Sequence, residues 1–200
     1  MTAAAMQVLE TERLVLRRLT PEDAAFILEL LNDPLFLHFV GDKGVRTRED
    51  AVEYIRHGPV ASYSQHGFGL FLVSLKADGT PIGMCGLLKR AVLEDVDVGF
   101  GFLSRYGGNG YATEAAAATV SYGRRLGIRR IVAITAPDNV ASGNVLRKIG
   151  LHHTQTLPLP GYKEPSLLFT PVDQVTARPD AALRPPSPIA PPPDRRATAG

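Results

Sequence analysis

From residue 8 to residue 18 apolar and polar positions alternate, Leu9, Leu14 and Leu16 against Glu12, Arg13 and Arg17, which predicts a first strand with one solvated face. The spacing then turns helical. Thr20 suits an N-cap, Pro21 the first helical position, and Glu22 and Asp23 the positive start of a helix dipole, ahead of an apolar stripe at Phe26, Ile27, Leu30 and Leu31. Asp33-Pro34 closes that helix. Thr47, Glu49 and Asp50 open a second, which runs through Val52, Tyr54 and Ile55 and stops before Gly58-Pro59. Residues 68 to 76 and 81 to 90 flank the turn 77 to 80 as a hairpin, and residues 95 to 103 add a third antiparallel strand. A glycine loop, an Ala-rich helix over 112 to 126, a β-branched strand over 129 to 135 and a helix over 139 to 149 follow, then strands at 151 to 157 and 162 to 170. The order β-α-α-β-β-β-α-β-α-β-β predicts an α/β (α+β) fold. Its sheet is mixed and largely antiparallel, is flanked by helices, and contains a central parallel β-α-β unit that sets strand 129 to 135 beside strand 95 to 103.

Composition divides the chain. Residues 173 to 200 hold seven prolines and neither aromatic residues nor apolar periodicity, so a disordered tail is expected after a folded domain spanning residues 8 to 170. Lys plus Arg total 22 against 20 Asp plus Glu; a net charge of +2 argues against a general nucleic-acid or membrane-surface binder, so an anionic ligand must be held locally. A single cysteine, Cys85, excludes an intrachain disulfide and a cysteine zinc cluster, and its apolar strand makes it a buried structural thiol. His152 and His153 are adjacent on a strand and point to opposite faces, so no metal is expected. With no signal-like start and no 18-residue apolar run, the expected setting is cytoplasmic, with no nucleic-acid or membrane partner.

The chemistry concentrates in Arg105-Tyr106-Gly107-Gly108-Asn109-Gly110, between a strand and a helix. Amide groups left unpaired by the first helical turn point outward there with the positive end of the dipole, an arrangement that binds phosphate oxygens. Glycine at 107, 108 and 110 permits positive φ and removes the Cβ atoms that would obstruct a pyrophosphate, and Asn109 tolerates the left-handed region. Strand-to-helix turns also use glycine for steric reasons alone, so context decides. The phosphate-loop pattern lacks its Lys-Ser/Thr pair, because Tyr111-Ala112 follow, and the dinucleotide fingerprint lacks its third glycine, because residue 113 is Thr.

The loop matches Gln/Arg-x-x-Gly-x-Gly/Ala, the acetyl-coenzyme A motif of the GCN5-related N-acetyltransferase (GNAT) superfamily, and continues Tyr111-Ala112-Thr113-Glu114-Ala115. The resemblance extends through Leu9-Glu10-Thr11-Glu12-Arg13-Leu14, Pro81-Ile82-Gly83 and Asp138-Asn139-Val140-Ala141-Ser142, and covers roughly residues 8 to 170. It is similar to the branch containing ribosomal-protein alanine N-acetyltransferases. The resemblance implies acetyl-coenzyme A as co-substrate, a primary amine as acceptor, and direct transfer in a ternary complex by a monomer or homodimer. It also implies a pantetheine arm lying where strands 95 to 103 and 129 to 135 splay apart.

Acetyl transfer to an amine needs a neutral nucleophile, a stabilised oxyanion and a proton for the departing thiolate. By resemblance, Asp97 before Val98-Gly99-Phe100 stands where many members carry a glutamate base; read alone, it equally fits an outward-facing carboxylate on an alternating strand. Backbone groups at Phe102 and Leu103 would face the thioester and pantetheine. Arg105, Gly107, Gly108, Asn109, Gly110, Tyr111 and Ala112 would surround the diphosphate. Asn139 would contact pantetheine and is also a strong N-cap; Ser142 stands where this branch places a serine near the sulfur, and is equally an ordinary helix-surface serine. The tyrosine of many other members is replaced by Leu146. Lys148 could meet the ribose phosphate, while a cation near a helix C-terminus is expected anyway. Two further readings stay open: a noncatalytic acyl-coenzyme A-binding or regulatory module on the same fold, and a nucleotide-binding protein.

Overall fold

The computed structural model describes residues 7–160 and 164–172. The expected disordered tail, residues 173 to 200, lies outside the described residues, as do the first residues of the last expected strand. Eight strands form one sheet in the order β1-β2-β3-β4-β5-β6-β8-β7. They are β1 (Gln7–Glu10), β2 (Leu14–Arg18), β3 (Leu70–Leu75), β4 (Pro81–Leu88), β5 (Val96–Phe102), β6 (Ile131–Thr135), β7 (Leu151–Leu157) and β8 (Ser166–Pro171). All neighbours are antiparallel except β5 and β6, which are parallel, as the strand-helix-strand order requires.

Helices α1 (Ala24–Leu31), α2 (Pro34–Phe39), α3 (Arg48–Ile55) and α4 (Ala61–His66) cover one face, where Ile27, Leu30, Phe36 and Ile55 pack with Leu70, Leu72 and Met84. Helix α5 (Tyr111–Arg125) and α6 (Val140–Lys148) cover the other, where Ala115, Ala116, Val120 and Leu146 meet Cys85, Leu87, Val98 and Ile131. Covering both faces explains why the central strands read as nearly continuous apolar runs. Each fully buried Leu or Ile here stabilises the fold by roughly 1.5–3 kcal/mol.

Three departures from the sequence reading have physical causes. The expected first strand is a hairpin, because the Thr11 hydroxyl accepts the Leu14 amide at 3.0 Å and the Thr11 amide donates to the Leu14 carbonyl at 2.9 Å, which closes a turn between β1 and β2. Asp33-Pro34 ends α1 and also starts α2: Asp33 accepts the Leu35 amide at 3.0 Å, with proline at the first position. The helix expected to stop before Gly58-Pro59 continues instead through a π turn, Arg56–Val60, that accommodates the missing proline N–H, and α4 ends at Gly67 with φ +78°. The Tyr63 hydroxyl secures α4 by donating to the Leu70 carbonyl and accepting the Leu19 amide. By contrast, α3 starts at Thr47 as expected, and its start is a capping box, with Thr47 and Asp50 bonding each other's amides at 3.1 and 2.9 Å.

Candidate active site

The parallel strands diverge. β5 and β6 pair only at Val96–Ile131 and Asp97–Val132, after which Ala133, Ile134 and Thr135 pair with β8. A fork therefore opens toward the C-terminal ends of both strands. On its β5 side, the Leu103 amide donates to the Ile82 carbonyl of β4 at 3.0 Å. Antiparallel pairing alternates, so the main-chain groups of Val98, Phe100 and Phe102 point the other way, into the fork. This corrects the assignment of the Leu103 amide to the cofactor: it is committed to β4, and the Leu103 side chain is buried.

Asp97 stands at the apex of the fork. Val96, Val98, Phe100 and Phe102 pack toward α5, so Asp97, Gly99 and Gly101 face the α1–α4 layer. Its carboxylate is 1% exposed, which rules out the solvated outward-facing alternative. Oδ2 accepts from Arg90 Nε at 2.9 Å, and Oδ1 has no hydrogen-bond partner among the described residues. Burial pushes the carboxyl above its ordinary range, and Arg90 opposes that rise without cancelling it. A buried carboxylate of raised pKa, with one oxygen left without a hydrogen-bond partner, binds a proton more readily than a solvated one.

The glycine loop continues from β5. A short 3-10 turn, Ser104–Tyr106, is followed by Gly107, Gly108 at φ +77° and Gly110 at φ +80°, from which α5 starts. Gly107 sits at φ −61° and Asn109 is not left-handed, so only two of the four positions use the freedom anticipated for them. The Asn109 side chain instead donates to the Tyr106 and Gly107 carbonyls at 3.3 and 3.0 Å and braces the loop. Among the described residues the amides of residues 108 to 113 meet no acceptor, and the first helical bond is Glu114 N–H to the Gly110 carbonyl at 3.1 Å. A Cβ added at Gly108 would meet nothing within 4 Å. Open space in front of unpaired amides at the positive end of a 15-residue helix fits a diphosphate. Tyr111 and Ala112 form its first turn. Arg105 turns away, pairing with Glu29 of α1, so its guanidinium supports the loop from outside.

On the β6 side, the Asn139 side chain accepts the Ser142 amide at 3.0 Å and caps α6, which leaves the half-buried Ser142 hydroxyl in the first turn. Leu146 is buried in the core, and Lys148 is exposed at the helix end. Sequence reasoning missed α2, which spans the fork's mouth. Asp33 anchors its start by accepting the Ser104 amide at 2.9 Å, and His38 Nε2 lies 3.3 Å from Asp138 Oδ2 beside Asn139. Phe36 lies over Gly101, where a Cβ would come within 3.1 Å of its ring. Arg90 was also missed; its signal was the basic pair Lys89-Arg90 in the turn after β4. Among the described residues no helix is long and apolar enough to cross a membrane, and no three His, Cys, Asp or Glu side chains are placed to hold a metal.

The Acetyltransferase (GNAT) domain model matches residues 13–152. An uncharacterized Bacillus subtilis protein, YkkB, is 32% identical over 156 residues, covering 74% of this chain and 87% of its own. The solved acetyltransferase (GNAT family) from Bacillus anthracis is 26% identical with a TM-score of 0.67, over 81% of this chain and 95% of that one. At the level of fold alone, a ribosomal L7/L12 alpha-N-protein acetyltransferase in complex with coenzyme A superposes with a TM-score of 0.69 at 18% identity, over 82% and 96% of the two chains. A forked β5/β6 pair, a loop of unpaired amides opening a long helix, and a family match across both establish that this chain belongs to the GNAT acetyltransferases.

Proposed function

We propose that this acyltransferase moves an acetyl group from acetyl-coenzyme A directly to a primary amine, with both substrates bound together at the β5/β6 fork. The observation that carries the reading is the run of unpaired amides at residues 108 to 113, continuous with the fork-facing main chain of Phe102. Acetyl-coenzyme A supplies an activated thioester. Gly108, Asn109, Gly110, Tyr111 and Ala112 hold its diphosphate through backbone donors, while the Gly107 amide is committed to the Ser104 carbonyl at 3.0 Å; Phe102 and Asn139 line the pantetheine channel, and Lys148 meets the ribose phosphate. Asp97 accepts the proton of the incoming amine, directly or through water, and Ser142 donates one toward the departing sulfur. Fork-facing amides of β5 are placed to stabilise oxyanion charge. A protein N-terminus or a small-molecule amine would serve as acceptor.

Calorimetry with coenzyme A, followed by thiol release across a panel of amines and peptides, tests this. Cys85 will not interfere, because burial pushes its thiol up to about 12 while Thr119 only partly offsets the rise. Saturable binding with amine-dependent thiol release is expected; no binding at millimolar coenzyme A would refute the reading. A noncatalytic coenzyme A-binding module is the second reading, favoured by the buried Leu146 where many members place a tyrosine acid. Binding without thiol release from any amine would select it.

A further inference from the structure

We infer that Arg13 is a positioning residue for the diphosphate loop, clasping the β1–β2 turn onto it and masking the carboxylate that α5 would otherwise present to the ligand. The inference rests on the reading that this loop takes the coenzyme A diphosphate. Arg13 Nε donates to Glu114 Oε2 at 2.7 Å, and its Nη2 lies 2.7 Å from the same oxygen. Its Nη1 donates to the Asn109 carbonyl at 3.0 Å, and its guanidinium carbon lies 4.7 Å from the centre of the Tyr111 ring. Glu114 Oε1 accepts from the Thr11 hydroxyl at 2.6 Å and the Arg13 amide at 2.9 Å. Residues 11 and 13 thus grip residues 109, 111 and 114 from nearly a hundred positions away.

Two consequences follow from geometry and charge. The Asn109 carbonyl and the Gly110 N–H belong to one planar trans peptide and point in opposite directions. Fixing the carbonyl on Arg13 therefore aims the Gly110 N–H away from the clasp, toward the open side of the loop. Glu114 is the second consequence: an acidic residue in the first turn favours the helix but repels a diphosphate at the same terminus. Burial would raise its carboxyl, yet the bonds from Thr11 and Arg13 outweigh burial and hold it below its ordinary range. It is ionised at neutral pH, and Arg13 balances it. A lysine could supply charge but not the planar fork that reaches Glu114 and Asn109 together.

The test compares full-length wild type, Arg13→Ala, Arg13→Lys and R13A/E114Q, measuring Kd for coenzyme A and for pantetheine, which lacks the diphosphate, with thermal melting as the folding control. Arg13→Ala should weaken coenzyme A about tenfold and pantetheine less than twofold, the loss of one charge-assisted contact. Arg13→Lys should fall between, and adding Glu114→Gln to the alanine variant should recover part of the loss. Unchanged coenzyme A affinity in Arg13→Ala, or an equal loss for pantetheine, would overturn the clasp while leaving the cofactor reading intact. Failure of the wild-type protein to bind coenzyme A would instead overturn the cofactor reading and the clasp with it.

Discussion

Gly108 and Gly127 form a matched pair. Both have positive φ, +77° and +82°, and a Cβ added at either would meet nothing within 4 Å. Alanine at either site must hold the left-handed region, which costs about 1–2 kcal/mol relative to glycine. The stability losses should therefore agree within about 0.5 kcal/mol, a melting-temperature drop of a few degrees in each case. Their functional consequences should diverge. Gly127 follows the C-terminal end of α5, whereas Gly108 lies within the run of unpaired amides of residues 108 to 113, where an added methyl group would compete with a diphosphate for the open space. Displacing a diphosphate from one such donor forfeits roughly 1.5–3 kcal/mol, the worth of a hydrogen bond to a charged group. The Kd of coenzyme A should rise about 10- to 100-fold in Gly108→Ala and stay within twofold in Gly127→Ala. Urea unfolding and calorimetry on the two variants suffice. Equal stability losses with unchanged affinity in both would refute the assignment of the loop.

Other expectations concern the fork and the sheet. If ionised Asp97 is the base, kcat/KM falls as pH drops through its raised pKa; Arg90→Gln removes the cation that favours ionisation, so the midpoint of this acid limb moves to higher pH. Asp97→Asn should abolish the limb and lower the rate about 100-fold or more. A pH–rate profile with its acid limb at an ordinary carboxylate value and indifferent to Arg90 would contradict this. Ser142→Ala should lower kcat by about tenfold or more without changing coenzyme A affinity, because Asn139 caps α6 through the backbone amide of residue 142, which alanine keeps. Gly86→Ala should destabilise the protein by about 3 kcal/mol, since its Cβ would fall 2.0 Å from the Gly69 carbonyl; denaturant midpoints report it.

What the sequence disclosed follows how local each signal is. Capping residues at Thr47, the apolar runs of β3 and β4 on either side of a turn, and the strand-helix-strand order around the glycine loop are written in neighbouring residues, and the sheet follows from them. The turn at Thr11 was hidden because its polar residues continue an alternating pattern, and one of the groups that hold it, Glu114, is 103 positions away. Helix α2 was hidden because Asp33-Pro34 is at once a stop for one helix and a cap for the next. Asp97 was ambiguous for a different reason: in a sheet covered on both faces, alternation does not say which side holds solvent, and burial of the carboxylate depends on Arg90 from the preceding hairpin. The Leu103 amide shows the same limit, because its hydrogen bond to Ile82 is a matter of strand register.

Amide NMR of the isotope-labelled protein titrated with coenzyme A addresses the central claim most directly. The largest shifts should fall on the N–H groups of residues 108 to 113 and on Phe102, with the Leu103 amide little changed because Ile82 already holds it. Shifts confined to other surfaces, or none at saturating ligand, would contradict the account.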